Sequence, residues 1–182
     1  IVRMDQDDIS LPKRIEKQVG FMNDHPEIGI SGTWIKFIGI VQYPWRSAVF
    51  NYPIHNQDIQ SKSLFCSNFC HPTVIMRKQL LQKYHLQYDA EQHYAEDFGF
   101  WQRCSRCFPM ANIPEVLLLY RITPGSMTNS GNPKEFESAK RINRLNFQNL
   151  GLDFEEEELF IYRKYPINFG PEFLIRFHVW LL

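Results

Sequence analysis

The chain has 182 residues, and its 44% hydrophobic and 15% aromatic content can form a sizeable core, which excludes an intrinsically disordered protein. Its 20 basic and 20 acidic residues cancel, so no overall field attracts nucleic acid or an anionic membrane. No apolar run in the sequence reaches the roughly 18–20 residues that cross a bilayer.

The two ends of the sequence are both apolar. It starts with "IVRM", which resembles the last residues of a buried strand, and it stops inside the run "FLIRFHVWLL". We therefore expect the chain to be a fragment of a longer protein.

The first elements are predicted from apolar spacing and turn residues. Residues 1–4 are expected to form a strand stub and 5–9 a turn, followed by a helix from about Pro12 to Met22 with Ser10 as its N-cap. Helical spacing predicts the buried stripe of this helix: Ile15, Val19 and Met22. The β-branched and aromatic stretch "EIGISGTWIKFIGIVQYPW" predicts strands that form a hairpin.

The remaining elements alternate between strands and helices. We predict a loop with a short helix in "NYPIHNQDIQSKSLF". A short strand through Val74 and Ile75 follows, and then a helix from about Lys78. The next predicted elements are a helix in "EQHYAEDFGFWQRCSRC" and a strand in "PMANIPEVLLLYRIT". Only helical patterns follow Pro124: about 133–150, 155–164 and 171–182. This alternation predicts an α/β sandwich with a helical C-terminal tail.

Three aspartates, Asp5, Asp7 and Asp8, crowd into the first predicted turn. Ligand sites in α/β sheets lie beyond the carboxyl ends of strands, where this turn is expected. A hard divalent cation, Mg or Mn, can hold such carboxylates together, and it leaves its other positions to water and phosphate oxygens. This pattern is compatible with a nucleotide diphosphate ligand, or more simply with a solvated turn that caps the next helix.

A second acidic pair, Glu96 and Asp97, precedes Trp101 in a helical pattern. The i, i+4 spacing places Asp97 and Trp101 on one helical face. A carboxylate beside a large aromatic ring can be desolvated, which raises its pKa and suits it to act as a base. Taken alone, the pair is more simply an ordinary acidic helix start.

The four cysteines offer a different interpretation, a structural zinc site. Cys66 and Cys70 are four residues apart and Cys104 and Cys107 are three apart. The second pair lies in a helical pattern and the first lacks the glycine that zinc knuckles favour. We therefore favour reduced, mostly buried thiols over zinc.

Three stretches, in order, resemble the family 2 glycosyltransferases. "RMDQDDISLPKRIEKQVGFMNDHPEIGISG" is similar to the family string "MDxDDxxxPxRLexQvxfmexhPeigvvGs". "HPTVIMRK" with the later "AEDFGFWQRC" resembles "HPsvmfRk…aEDydlWlRl", and "ANIPEVLLLYRITPGSMT" resembles "nipevLlyYRvhpgsvS". The resemblance covers about residues 2 to 128 and turns the interpretation toward an enzyme.

The resemblance implies a GT-A-like α/β fold, a mixed sheet with flanking helices, and transfer of a sugar from a nucleotide-sugar donor with inversion. Asp5 and Asp7 would be the D-x-D pair that holds Mg or Mn on the diphosphate, and Asp8 would support either residue. Asp97 would be the catalytic base that takes the proton of the acceptor hydroxyl, and Glu96 would orient the acceptor or the base.

Four further positions follow from the same resemblance. His71 would be a structural or supporting residue, with a metal role as the weaker alternative, and Trp101 would pack in the core rather than support the acceptor. Arg121 would approach the diphosphate or form an ion pair near the site. Thr123 stands where the family often has a histidine, a difference that weakens the expected metal contact.

The resemblance also implies what the chain would belong to. Residues 1–128 would be the C-terminal part of the catalytic domain and 129–182 a helical extension, with the N-terminal nucleotide-binding half missing and the fragment alone inactive. The expected partners are a nucleotide sugar, first of all a UDP-sugar, and a saccharide or lipid-linked acceptor, with no nucleic acid. We expect a cytoplasmic enzyme of bacterial surface polysaccharide or lipopolysaccharide synthesis. A peripheral contact with the inner face of the membrane is left open. The alternative is a non-catalytic relative that binds a sugar or a protein.

Overall fold

A mixed β-sheet forms the centre of the structure, a computed structural model that describes residues 1–39, 49–123, 133–149 and 151. Within these ranges the strands are β1 (Ile9–Ser10), β2 (Ile30–Gly39), β3 (Val49–Phe50), β4 (Ile75–Met76) and β5 (Met110–Ile122). The helices are α1 (Arg14–Asp24), α2 (Asn56–Ser63), α3 (Lys78–Lys83), α4 (Glu96–Ser105) and α5 (Pro133–Asn149), and a 3-10 turn spans His71–Thr73.

The two longest strands, β2 and β5, lie side by side and parallel. The strand order is β1-β5-β2-β3, with β4 also paired to β2; β1, β3 and β4 are antiparallel to their partners. The β2–β5 register is irregular at Trp34, where Ile113 and Val116 pair with consecutive residues of β2. Pro114 has no N–H to donate to a ladder, so the chain bulges at this point.

The main core packs against this sheet and joins it to α2 and α4. Its central side chains are at most 1% exposed: Ile30, Ile59, Phe100, Trp101 and Met110. The Trp101 ring lies 5.5 Å from Phe69 and 5.2 Å from Phe100, measured between centroids. The core-packing interpretation of Trp101 is therefore confirmed.

The predicted fold class is confirmed: a mixed sheet flanked by helices. The stretch predicted as a hairpin contributes one strand, β2, whose antiparallel partner β3 lies beyond it at Val49–Phe50. The short helix is present as α2, and the strand–helix pair as β4 and α3. The predicted helix at 133–150 corresponds to α5, whereas the helices predicted at 155–164 and 171–182 lie outside the described residues.

The prediction for α1 was wrong at its start and on its buried face. Ser10 is not an N-cap, because it pairs with Leu118 of β5 and the chain stays extended until α1 begins at Arg14. The buried residues of the helix are Arg14, Gln18 and Met22. Ile15 and Val19 are instead 47% and 42% exposed.

Arg14 explains this inverted face. Its side chain is 1% exposed, and one nitrogen, Nη2, donates to the backbone carbonyls of both Arg3 and Pro72 at 2.7 Å. Its Nε donates to Gln18 Oε1 at 2.9 Å, and Gln18 in turn donates to the carbonyl of Thr73 at 2.7 Å. Buried carbonyls need donors, so the polar face of α1 turns inward to supply them.

We expect Arg14→Met to lower the free energy of unfolding by about 3 kcal/mol, because each buried carbonyl left without a donor costs roughly 1–3 kcal/mol. Urea unfolding of the natural protein measures the change. Lys13→Met, at the exposed neighbouring position, is the matched control and should change it by less than about 0.5 kcal/mol. Equal effects of the two substitutions would contradict the role of Arg14.

Candidate active site

The aspartate turn is anchored at both of its ends. Before it, Val2 bridges to Ile75 and the N–H of Arg3 donates to the carbonyl of Val74 at 3.0 Å. After it, β1 pairs with β5. The turn therefore projects from paired backbone, as expected for residues that follow a strand.

Arg121, near the end of β5, binds this turn. Its backbone N–H donates to Asp8 Oδ1 at 2.8 Å, and its Nε donates to the carbonyl of Asp7 at 2.7 Å. The sequence analysis expected Arg121 to approach the diphosphate or to form an ion pair; the hydrogen bonds observed here are to the aspartate turn, and the contact with a diphosphate stays a prediction. In this arrangement Arg121 orders the turn through one carboxylate and one carbonyl.

Asp8 is the most perturbed of the three aspartates. Burial raises its pKa to about 6, and repulsion by Asp7 and Asp5 adds to this, whereas the Arg121 N–H opposes it. Its second oxygen, Oδ2, is buried and accepts no hydrogen bond within the described part of the chain. Asp8 is therefore a partly buried residue that holds the turn to β5 through its hydrogen bond from Arg121.

One cavity of about 450 Å³ brings the two acidic motifs together. Arg3 and Asp5 line it, and so do Glu96 and Asp97 from the start of α4. The rest of the wall is largely aromatic: Phe37, Phe50, Tyr52, Phe69 and Tyr120. Motifs about 90 residues apart in sequence thus share one concave site that combines aromatic surface with charged groups, as expected of a ligand pocket.

Asp97 is held at the first turn of α4. Its Oδ1 accepts the backbone N–H of Phe98 at 2.7 Å. Ala95 and Phe98, on either side of the acidic pair, pack against Ala139 and Ile142 of α5. The helix start carries a partial positive charge, and α5 fixes its position, so the carboxylate is both stabilised and oriented.

The structure does not bring every predicted site residue into this cavity. Asp5 lines it, but Asp7, Asp8 and Arg121 are not among its lining residues, and the side chain of Asp7 is exposed. No group of three or more His, Cys, Asp or Glu in the described ranges is placed to hold a metal. The four cysteines therefore do not form a zinc cluster; Cys70 and Cys104 are buried.

The donor chemistry of the turn nevertheless fits a hard cation. Asp5 and Asp7 offer carboxylate oxygens, which Mg and Mn prefer, and two protein carboxylates are a usual number for such an ion on a phosphate ligand. Asp5 Oδ1 lies 2.9 Å from Arg3 Nη2, so a cation there would compete with this ion pair. Metal binding at this turn remains a prediction.

Three contributors to the cavity region were missed in the sequence: Arg3, Arg14 and Tyr88. Arg3 stands two residues before Asp5, and this spacing places both side chains on one face of an extended segment, a signal that was available. Tyr88 offered no signal. Its hydroxyl oxygen lies 2.8 Å from Nε2 of His71, which lines the cavity.

His71 is kept uncharged near neutral pH. Burial and, to a smaller extent, the Arg3 guanidinium together lower its pKa to about 3. Its ring meets Trp101 edge to face at 5.7 Å between centroids. These contacts agree with the supporting role expected of His71.

The segment before Asp97 is fastened to α4 through Gly99. A Cβ on Gly99 would lie 1.9 Å from Gln92 Oε1, which accepts a hydrogen bond from Arg103 Nη1 at 3.1 Å. Arg103 Nη2 also donates to the carbonyl of Gln87 at 2.9 Å. A side chain at position 99 would therefore displace the Gln92 side chain where this loop closes on the helix that carries Asp97.

The fold, a mixed sheet flanked by helices, also occurs in solved structures. The chain superimposes on S. aureus TarS with a TM-score of 0.52 and 14% identity, covering 89% of this chain and 27% of TarS. For TarS residues 1–349 in complex with UDP, the TM-score is 0.52 and the identity 17%, covering 95% and 45%. At this identity the likeness shows the fold.

The sequence relatives are named glycosyltransferases, although no protein-family model matches the chain. An uncharacterized glycosyltransferase of Haemophilus influenzae is 31% identical over 84% of this chain. The amylovoran biosynthesis glycosyltransferase AmsE of Erwinia amylovora is 33% identical over 66% of it, and the O-antigen biosynthesis glycosyltransferase WbnJ of Escherichia coli 34% over 67%. The chain spans about half the length of these relatives: 50%, 44% and 47%.

We expect Gly99→Ala to speed amide hydrogen exchange in residues 87–95, because the new methyl displaces Gln92 and breaks its bond to Arg103. The better helix propensity of alanine offsets this loss, so the free energy of unfolding should change by less than about 1 kcal/mol. Gly20→Ala is the matched control, since a Cβ there meets nothing within 4 Å. Unchanged exchange at 87–95 would show that the loop does not depend on Gly99.

His71 should make the protein sensitive to acid. Its pKa in the unfolded chain is near the ordinary 6.5 and in the folded protein about 3, so between these values the unfolded state binds the extra proton and stability falls as pH falls. His71→Gln should lose this part of the pH dependence, measured by urea unfolding at pH about 7 and about 4.5. His55→Gln, at an exposed histidine, is the control; an unaltered slope in His71→Gln would refute the assignment.

Proposed function

We propose that the chain is part of an inverting, metal-dependent glycosyltransferase of family 2. The observation that carries this proposal is that Asp5 and Asp97, the residues expected to serve the donor and the acceptor, line one cavity. The similarity to named glycosyltransferases over most of the chain supports it.

In the proposed reaction, Asp97 is the general base. It takes the proton from the acceptor hydroxyl as that oxygen attacks the anomeric carbon of the donor sugar. The new carbon–oxygen bond forms as the bond to the nucleoside diphosphate breaks on the opposite face, so one displacement inverts the configuration. Glu96, which lines the same cavity, orients the acceptor or the base.

On the donor side, Asp5 and Asp7 would hold the divalent cation, Mg or Mn. A bound cation supplies positive charge that stabilises the developing diphosphate. Arg121 keeps the turn in place through Asp8 and the Asp7 carbonyl. Arg3, missed in the sequence, adds a guanidinium to the cavity that holds the donor end.

We further propose that a nucleotide-binding half packs on the N-terminal edge of the described structure. Among the residues that the structure describes, half of the exposed large hydrophobic side chains fall within the first 19: Ile1, Val2, Met4, Ile9, Ile15 and Val19. Apolar surface concentrated in this way favours a packing partner. The relatives, about twice as long, have room for such a half.

The substrates we propose are a UDP-sugar and a saccharide or lipid-linked acceptor, in bacterial surface polysaccharide synthesis on the cytoplasmic side of the membrane. The names of the amylovoran and O-antigen relatives and the UDP bound by TarS support this choice. Within the described ranges, no helix has both the length and the hydrophobicity that a bilayer crossing requires. A non-catalytic, sugar-binding relative is the alternative, and Thr123 in place of the usual histidine favours it.

We expect Asp97→Asn to lower sugar transfer by about 10²–10⁴-fold, the usual contribution of a general base. The natural protein is assayed for release of nucleoside diphosphate with a panel of nucleotide sugars, an acceptor mixture and Mn or Mg. Asp24→Asn, at the exposed end of α1, is the matched control and should keep full activity.

The same assay separates the alternatives. Turnover that survives in Asp97→Asn would exclude this residue as the base. Nucleotide binding without turnover in the unsubstituted protein would favour the non-catalytic relative. If Asp7→Asn leaves the dependence on Mn unchanged, the metal assignment fails while the base assignment stands.

A further inference from the structure

A second, larger cavity adjoins the first. It encloses about 1050 Å³ between residues 88–96 and the first turns of α5. Tyr94 and Glu96 line both cavities. A molecule in the second cavity would therefore reach the space in front of Asp97.

Two tyrosines give this cavity aromatic surface. Tyr88 and Tyr94 are 38% and 39% exposed although each is a large apolar ring. The Tyr88 ring is stacked on Phe100 with 4.4 Å between centroids and 25° between planes, and its hydroxyl contacts His71. A ring fixed from two sides loses little entropy when a ligand packs on it.

The backbone of Tyr94 is held in an unfavourable conformation. Its φ is +67°, in the left-handed region that a bulky residue rarely adopts. Ala95, the next residue, is packed against α5, and Gln92 is fastened to α4. Such strain persists where the surroundings enforce it and is concentrated at ligand sites.

The lining of the cavity is strongly acidic. Four carboxylates, Asp89, Glu91, Glu96 and Glu137, face one lysine, Lys134. Ionised carboxylates accept hydrogen bonds and donate none, so they suit the hydroxyl and ammonium groups of a sugar and repel its carboxylate or phosphate groups. The apolar C–H face of a sugar ring suits the tyrosines.

We propose that this cavity binds the acceptor saccharide and selects neutral or amino sugars over uronic acids and phosphorylated sugars. The assignment rests on the proposed glycosyltransferase function. Tyr94 is the stacking residue that leads the acceptor toward Asp97, and Tyr88 is a positioning residue that joins the two cavities through His71. Glu91 and Glu137 set the charge preference from the loop and from α5.

The experiment measures saccharide binding directly, by saturation-transfer NMR on the natural protein. The probes are the methyl glycosides of a hexose, an N-acetylhexosamine, a hexosamine and a hexuronic acid. The first three should bind and the hexuronate should not. Tyr94→Ala should weaken binding by about 3- to 10-fold, the usual worth of an aromatic stacking contact.

Two further variants keep the proposal testable if Tyr94→Ala folds poorly. The double substitution Glu91→Lys and Glu137→Lys, at two exposed positions, should admit the hexuronate. Tyr84→Ala is the matched control, because Tyr84 is equally exposed at 38% and lines neither cavity. Equal binding of hexose and hexuronate, or no effect of Tyr94→Ala and of the double substitution, would overturn the assignment.

Hydrolysis of the nucleotide sugar without acceptor is measured in parallel. It tests the proposed enzymatic function independently of the saccharide site. Hydrolysis that persists while no glycoside binds overturns the acceptor site and leaves the glycosyltransferase intact. Charge-selective binding that Tyr94→Ala weakens, in a protein that neither hydrolyses a donor nor transfers its sugar to any acceptor of the mixture, supports the saccharide site and removes the enzymatic proposal.

Discussion

The buried guanidinium of Arg14 is the interaction on which the rest of the site depends. It is almost fully removed from water, and burial lowers its pKa from the ordinary value. Its hydrogen bonds join α1 to the carbonyl of Arg3, just before the aspartate turn, and to the carbonyl of Pro72, next to His71. Both walls of the candidate active site are thus tied to one planar group with donors at fixed angles, which a lysine would not replace.

The second constraint is the packing of α4. Trp101 and Phe100 anchor the helix in the core, while Ala95 and Phe98 seat its first turn against α5. Glu96 and Asp97 lie between Ala95 and Phe98, and both are half-buried. An acidic pair that would be unremarkable on an isolated helix becomes half-buried in a cavity because both faces of the helix are already occupied.

The polar side chains around the cavity include a charged pair and a neutral histidine. Asp5 pairs with Arg3, the same guanidinium helps to keep His71 uncharged, and His71 contacts the hydroxyl of Tyr88. The side chains of Arg3 and His71 thus lie between the aspartate turn and the tyrosine that lines the second cavity.

The sequence by itself determined the two long strands, the helices between them and the two acidic motifs, because apolar periodicity and short-range spacing encode them. The two-residue strands β1 and β3 carry no such pattern and were not predicted. It did not determine which face of α1 is buried. Ile15 and Val19 have the spacing of a buried stripe, but the carbonyls of Arg3 and Pro72 need a hydrogen-bond donor, and Arg14 supplies it from the buried face. Nor did it separate Asp5, which lines the cavity, from Asp7 and Asp8, which sit two and three residues away in the same turn. Those distinctions arise only in the tertiary structure, since burial and hydrogen-bond partners come from segments 60 to 110 residues distant in the chain.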